Sequence, residues 1–314
     1  MENLIYTDEN LNDKGCATAF SLELENGKVD NLFTFQVALT DFKKYMPGGY
    51  LYCENAPQYG GAISAYIPNT ATKTVTFEGR TWRGMFARKY FLRNITLTKG
   101  TALDSAINTL ISELNFSDKF AAASNGETIP ASYTVPAYGN ALTELETMLS
   151  TFNCRPSFTF DPSSKKIKIG SQGIQDYSED EFDSDKINLE IYVNTMPINH
   201  VVGVLENGSQ CHRYLLYDGT QSETKQEIKG SDEVISVIDI SDSADASEAM
   251  KAVIDESLAA SKTCTITVNS LNADIGDIVG GRENETGVFV KSKIISKILK
   301  MTEFTSIVNF ETGA

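Results

Sequence analysis

The sequence predicts a mainly β protein with an α+β insert, in which two antiparallel β-barrels flank a small α+β domain. Three observations predict it: short alternating apolar segments between Gly, Pro and Asn turn signals over the first hundred residues, a switch to helical spacing between about residues 101 and 152, and a return of short strand-like segments after residue 188. The expected divisions are a first barrel at 1-95, an insert at 96-172, an acidic connector at 173-187, and a second barrel with one helix at 188-314. A chain of 314 residues accommodates two domains, or one large domain with an insertion.

Ser21 to Glu25 alternates toward Asn26-Gly27, a pair that tolerates the left-handed dihedrals of a two-residue hairpin turn. Leu32 to Leu39, Ala62 to Ile67 and Thr72 to Phe77 continue the strand pattern, and Pro47-Gly48-Gly49 and Pro57 punctuate it. Ala102, Leu103, Ala106, Ile107, Leu110, Ile111 and Leu114 then recur at helical spacing, with Thr101 placed to cap the first turn. A second helix from about Asn140 sets Leu142, Leu145, Met148, Leu149 and Phe152 on one stripe. Arg155 to Phe160 and Lys165 to Ile169 read as a hairpin around Asp161-Pro162-Ser163-Ser164. Residues 176 to 185 carry six carboxylates but lack the central Gly and the ligand spacing of a calcium loop, so a solvated connector is expected. Ile198 to Glu206 and Gln210 to Tyr217 flank the turn pair Asn207-Gly208, and Val234 to Ile240 leads to a helix starting near Asp245 with Glu248 completing a capping box. Cys264 to Val268, Ile278 to Gly280, Val288 to Ile295 and Ser306 to Phe310 complete the second strand-rich part.

Charge narrows the function classes. Lys and Arg number 27 against 42 Asp and Glu, a formal charge of −15, and such a chain repels phosphate backbones. Sequence-specific nucleic-acid binding is therefore not expected. The opening Met1-Glu2-Asn3 lacks a basic, apolar leader, and no apolar run approaches the roughly 20 residues of a membrane span, so neither a signal peptide nor membrane insertion is expected. The five cysteines are unclustered, which fits folding in a reducing compartment.

Catalytic patterns are absent: there is no Gly-x-Ser-x-Gly, no His-Glu-x-x-His and no phosphate-binding glycine loop. The two histidines, His200 and His212, can face each other across the Asn207-Gly208 hairpin, but two imidazoles alone make no zinc site. Cys211 adjoins His212 on a strand, where neighbours point to opposite faces, so they form no nucleophile–base pair. No catalytic residue, cofactor or metal is expected. With 42 acidic residues, a glycosidase-like carboxylate pair has no sequence signature to test. Gly79 to Arg93 interleaves Arg80, Arg83, Arg88, Lys89 and Arg93 with Trp82, Tyr90 and Phe91. In so acidic a chain this segment is expected to meet carboxylates of itself or of a neighbouring subunit, which makes Arg80, Trp82, Arg83, Arg88 and Lys89 candidate interface residues.

The run Ala62 through Thr74-Val75-Thr76-Phe77 into Gly79-Arg80-Thr81-Trp82-Arg83-Gly84-Met85 resembles the XkdQ-like tail proteins of phages infecting Gram-positive bacteria. So do Tyr177 to Phe182-Asp183-Ser184, Ile198-Asn199-His200-Val201-Val202, and Asp274-Ile275-Gly276-Asp277-Ile278-Val279-Gly280-Gly281 leading to Thr286-Gly287. Gly79, Gly84, Gly276, Gly280, Gly281 and Gly287 read as turn positions within these runs. The family is similar to the baseplate hub of contractile phage tails and phage-tail-like particles. The resemblance implies tail-tube-like barrels, two per subunit, and a homotrimer that presents six barrels to a hexameric tail tube protein. It also implies a central spike on the other side, baseplate wedge or other tail proteins as neighbours, and a place in the virion or particle tail assembled in the host cytoplasm. A structural, non-enzymatic role follows, with an acidic lumen that would not retain DNA in a phage, whereas no DNA passes in a tail-like bacteriocin. The competing expectations are a tail-tip peptidoglycan hydrolase using a carboxylate pair and a tail protein that binds host-surface carbohydrate.

Overall fold

The computed structural model describes residues 3–27, 31–45, 48–124, 126–183, 188–240, 246–268 and 273–313. The chain is mainly β with a large antiparallel sheet and four α-helices among the described residues: α1 (Trp82–Ala87), α2 (Leu103–Glu113), α3 (Ala141–Ser150) and α4 (Ala246–Ala260). This is the fold class expected from the periodicities. It folds as two compact units, one comprising Met1–Asp176, Thr267–Asp277 and Ser296–Phe310, the other Tyr177–Ile266, Ile278–Ile295 and Glu311–Ala314.

In the first unit, strands Ser21–Gly27, Leu32–Ala38, Thr74–Thr81, Gly60–Asn69, Tyr50–Cys53, Leu4–Thr7 and Asp13–Cys16 follow one another in antiparallel order. Their alternation is physical: Leu22, Leu24, Phe33, Phe35, Val37, Val75 and Phe77 are all buried, while the residues between them face outward or lie half-buried. The first hairpin forms, but not around Asn26-Gly27. Leu24 pairs with Phe33, and Asn26 and Gly27 remain in the strand, where they pair with Lys297 and Ser296. A partner strand from late in the chain therefore prevails over the local turn preference, and the connection falls on residues outside those described.

The insert builds as its periodicity predicts. Asn140 caps α3, its Oδ1 accepting from the amides of Leu142 and Thr143. Thr101 does not cap α2; Ala102 occupies that position and gives no side-chain hydrogen bond. The hairpin Cys154–Asp161 with Lys166–Gly173 turns on Asp161, whose carboxylate accepts from the Ser163 amide and the Ser164 hydroxyl. The stripes Leu103, Ala106, Ile107, Leu110, Ile111 and Leu142, Leu145, Met148, Leu149 share one core with Tyr50, Tyr52 and Trp82. Apolar packing is thus continuous across the division expected at residue 95.

Arg155 holds a distant segment of the same unit in place. Its Nε and Nη2 donate to Asp277 Oδ1 and Oδ2 at 2.8 and 3.0 Å, and its Nη1 lies 3.4 Å from Asp274. Asp277 is fully buried, and its carboxylate also accepts from the amides of Gln175 and Asp274. Lys297, itself buried, donates to the Ala273 carbonyl at 2.8 Å.

In the second unit, the expected acidic connector is instead a strand, Asp176–Asp183, which pairs with Ile278–Arg282. The partner strand satisfies backbone groups that a solvated loop would have left to water. Ser184 to Ile187 lie outside the described residues. The strands after residue 188 divide between two sheets. Gln221–Ser222, Gln210–Leu215, His200–Val204 and Ile235–Asp239 form a separate four-stranded sheet, whose last two strands run parallel. α4 covers one face through Met250 and Ile254 against Val201 and Leu215. The hairpin turn at Asn207-Gly208 is as expected, with Gly208 at φ +78°. The expected helix cap at Asp245 lies outside the described residues.

Two outcomes follow from this packing. Leu110 and Leu149 are fully buried, so Leu110→Ala or Leu149→Ala should each cost about 2–5 kcal/mol by chemical denaturation. Asp277→Asn leaves buried Arg155 with only its longer contact to Asp274 as counter-charge, and should lower stability by about 3 kcal/mol in the same measurement.

Candidate functional site

The candidate interface segment runs from the strand Thr74–Thr81 through α1. Thr81 caps that helix, its Oγ1 accepting from the Gly84 amide at 3.1 Å. Trp82 is 1% exposed, donates from Nε1 to the Pro57 carbonyl and packs between Tyr50 and Phe160. Arg83 is also buried and pairs with Glu146 of α3. These two candidates therefore lie in the interior of this chain. Arg80 and Lys89 are half-buried and Arg88 is exposed. Lys89 sits over the Phe116 ring at 4.4 Å, whereas Arg80 and Arg88 pair with no carboxylate among the described residues. Helix α1 splits the five candidates, so only Arg80, Arg88 and Lys89 reach the surface.

Four of the six expected turn glycines are not in turns. Gly79 is in a strand, where a Cβ would stand 2.2 Å from the Ala62 carbonyl oxygen, and Gly84 is in α1, where it would stand 2.1 Å from that of Asn31. Gly280 and Gly281 are in the strand Ile278–Arg282, beside Ser178 and Leu189. Close approach of backbone, rather than turn geometry, explains the first two. Gly276 and Gly287 do adopt turn conformations, at φ +100° and +68°.

His200 and His212 meet as the hairpin register dictates. His200 Nε2 and His212 Nδ1 are 2.9 Å apart, and His200 stacks on Tyr214 with ring centroids 4.3 Å apart. His200 Nδ1 lies 2.9 Å from Glu233, which Lys225 holds through both carboxylate oxygens. Sequence spacing could reveal the two imidazoles, but not Glu233 or Lys225, which reach them from a later loop. Among the described residues no cluster of three or more His, Cys, Asp or Glu is placed to hold a metal ion. Cys211 packs on the opposite face of this sheet, near Gly203 and Met250, so it makes no pair with His212. The described cysteines are free thiols, and burial pushes Cys154 and Cys264 above the ordinary thiol range, away from thiolate character.

The fold is shared with known tail proteins. No family model and no curated protein matches this sequence. The 43 kDa tail protein of prophage MuSo2 from Shewanella oneidensis superposes with a TM-score of 0.59 at 9% identity, over 99% of this chain and 96% of that one. The tail protein from Neisseria meningitidis MC58 gives 0.55 at 11% identity over 100% and 96%. A chain of the phage P2 baseplate in its activated conformation gives 0.53 at 12% identity over 99% of each. The chain thus has the fold of phage tail and baseplate proteins along its length.

His200 sets a pH dependence. Burial, the largest cause, lowers the His200 pKa from its ordinary 6.5, with Glu233 acting in the opposite direction. The unfolded chain therefore takes up the proton first as pH falls. The contribution of His200 to stability is intact above about pH 6.5 and declines below it. Between pH 7.5 and 5.5 the parent should lose more unfolding free energy in denaturant titrations than His200→Gln, and equal losses would contradict this origin.

Proposed function

We propose that this chain is the structural hub of a phage or phage-like contractile tail baseplate, similar to the XkdQ-like proteins. In this reading three copies form a ring that adapts the hexameric tail tube to the trimeric spike, with wedge or other tail proteins around it. The observation that carries the reading is the fold shared from end to end with tail proteins and with a chain of the P2 baseplate. Two further features support it. A formal charge of −15 suits a lumen that does not retain passing DNA. The arrangement of the two histidines and the free cysteines offers no nucleophile activated by a base. In this reading the role is structural and the location is the tail.

Ring closure brings acidic subunits together, and basic side chains at the boundary oppose their repulsion. Arg80, Arg88 and Lys89 are the residues of the basic segment available for this. A reconstruction of the assembled tail should show three copies of the chain in a ring on the tail axis. Six copies per layer, or an off-axis position, would overturn the hub reading. Purified protein should also leave no cleared zone on a peptidoglycan zymogram, and clearing abolished by substituting a single Asp or Glu would favour a hydrolase instead.

A further inference from the structure

Residues 89 to 92 run antiparallel to residues 138 to 141 in the first unit. Tyr90 pairs with Asn140, the Phe91 amide donates to the Gly139 carbonyl at 3.1 Å, and the Tyr138 amide donates to the Phe91 carbonyl at 2.6 Å. The alternation of this short ribbon is sharp. Phe91 is 1% exposed, whereas its neighbours Tyr90 and Leu92 are 58% and 82% exposed. Tyr138, opposite Leu92, is 78% exposed and is held at φ +65°, a conformation a bulky side chain rarely adopts. Three large apolar side chains thus stand together on a ribbon pinned by backbone bonds. A single exposed leucine is unremarkable, but three exposed large side chains on one ribbon, one of them held at a strained φ, mark a contact surface.

Charge around this knuckle identifies its occupant. Arg88, Lys89 and Arg93 lie beside it; Arg93 is neutralised by Glu113, and nearby Glu144 accepts from the Tyr133 hydroxyl. Arg88 is exposed and pairs with no carboxylate among the described residues. Arg88, Lys89 and Arg93 against Glu113 and Glu144 leave this neighbourhood one positive charge in excess, in a chain whose formal charge is −15. A second copy of the chain supplies the complementary acidic surface, and packing on the knuckle would bury Leu92 and both tyrosines.

We propose that Tyr90, Leu92 and Tyr138, rimmed by Arg88, form a docking surface for an acidic face of a second copy of this chain. The proposal rests on the hub reading and adds to it the apolar centre of a subunit contact. The test places the photoreactive residue p-benzoylphenylalanine at Leu92 in the full chain, and irradiates assembled tails. The expected product joins two copies of the chain, through a peptide rich in Asp and Glu. Its yield should fall several-fold on Arg88→Glu, a surface change that should leave the circular dichroism spectrum unaltered. An adduct with a different tail protein, no adduct, or a yield indifferent to Arg88→Glu would overturn the docking surface. A threefold axial ring seen in the same particles would leave the hub reading standing, so the two failures are distinguishable.

Discussion

The first unit depends on one buried ion pair between residues far apart in sequence. Arg155 and Asp277 are separated by 122 positions, yet the guanidinium donates two near-parallel hydrogen bonds to the carboxylate. Asp277 is fully buried, so its charge must be met by the protein rather than by water. Four donors do so: two from Arg155, and the amides of Gln175 and Asp274. The arrangement fixes both the strand Cys154–Asp161 and the returning segment that ends at Asp277. Such a pair is a modest source of net stability, because desolvation offsets most of the attraction. Its effect is selective: a different placement of the returning segment would leave two charges buried and unmatched.

What could be read from the sequence was what neighbouring residues decide. The stripes of α2 and α3, the Asn140 cap, the Asp161 turn and the Asn207-Gly208 hairpin all depend on interactions within a few residues, and each stands where local chemistry puts it. The misreadings share a different cause. Asn26-Gly27 has strong turn character, but pairing with Lys297 and Ser296 outweighs it. The acidic run at 176 to 183 looks like a solvated connector until its partner strand Ile278–Arg282 is supplied. The basic segment is different: helix α1 turns Trp82 and Arg83 inward, and Arg83 meets Glu146 of the same chain, one of the two kinds of partner its charge called for.

The glycines and histidines make the same distinction at the level of single residues. A glycine announces that a Cβ is unwelcome, but not whether the backbone angle or a neighbour excludes it. At Gly276 and Gly287 it is the angle, and at Gly79 and Gly84 it is the carbonyl oxygens of Ala62 and Asn31. Likewise, alternation across a predicted hairpin brings His200 near His212, but no local rule adds Glu233 and Lys225. These later residues join two strand histidines in a hydrogen-bonded network, within which burial lowers the His200 pKa.

The charge of the chain and its proposed ring are compatible once distance is considered. At physiological ionic strength the screening length is about 8 Å, so repulsion between charges spread over two subunits is largely damped. Contacts inside an interface escape that damping because they exclude the screening ions. A subunit of charge −15 therefore does not need matching positive charge over its whole surface to associate. It needs a few cations at the place where water leaves. Arg83 and Arg93 are already paired with Glu146 and Glu113. Arg88 is not paired among the described residues, and it lies near Leu92, which is 82% exposed. The basic segment thus divides its work: its buried part anchors α1 to the core, and its exposed end is left with charge for another surface.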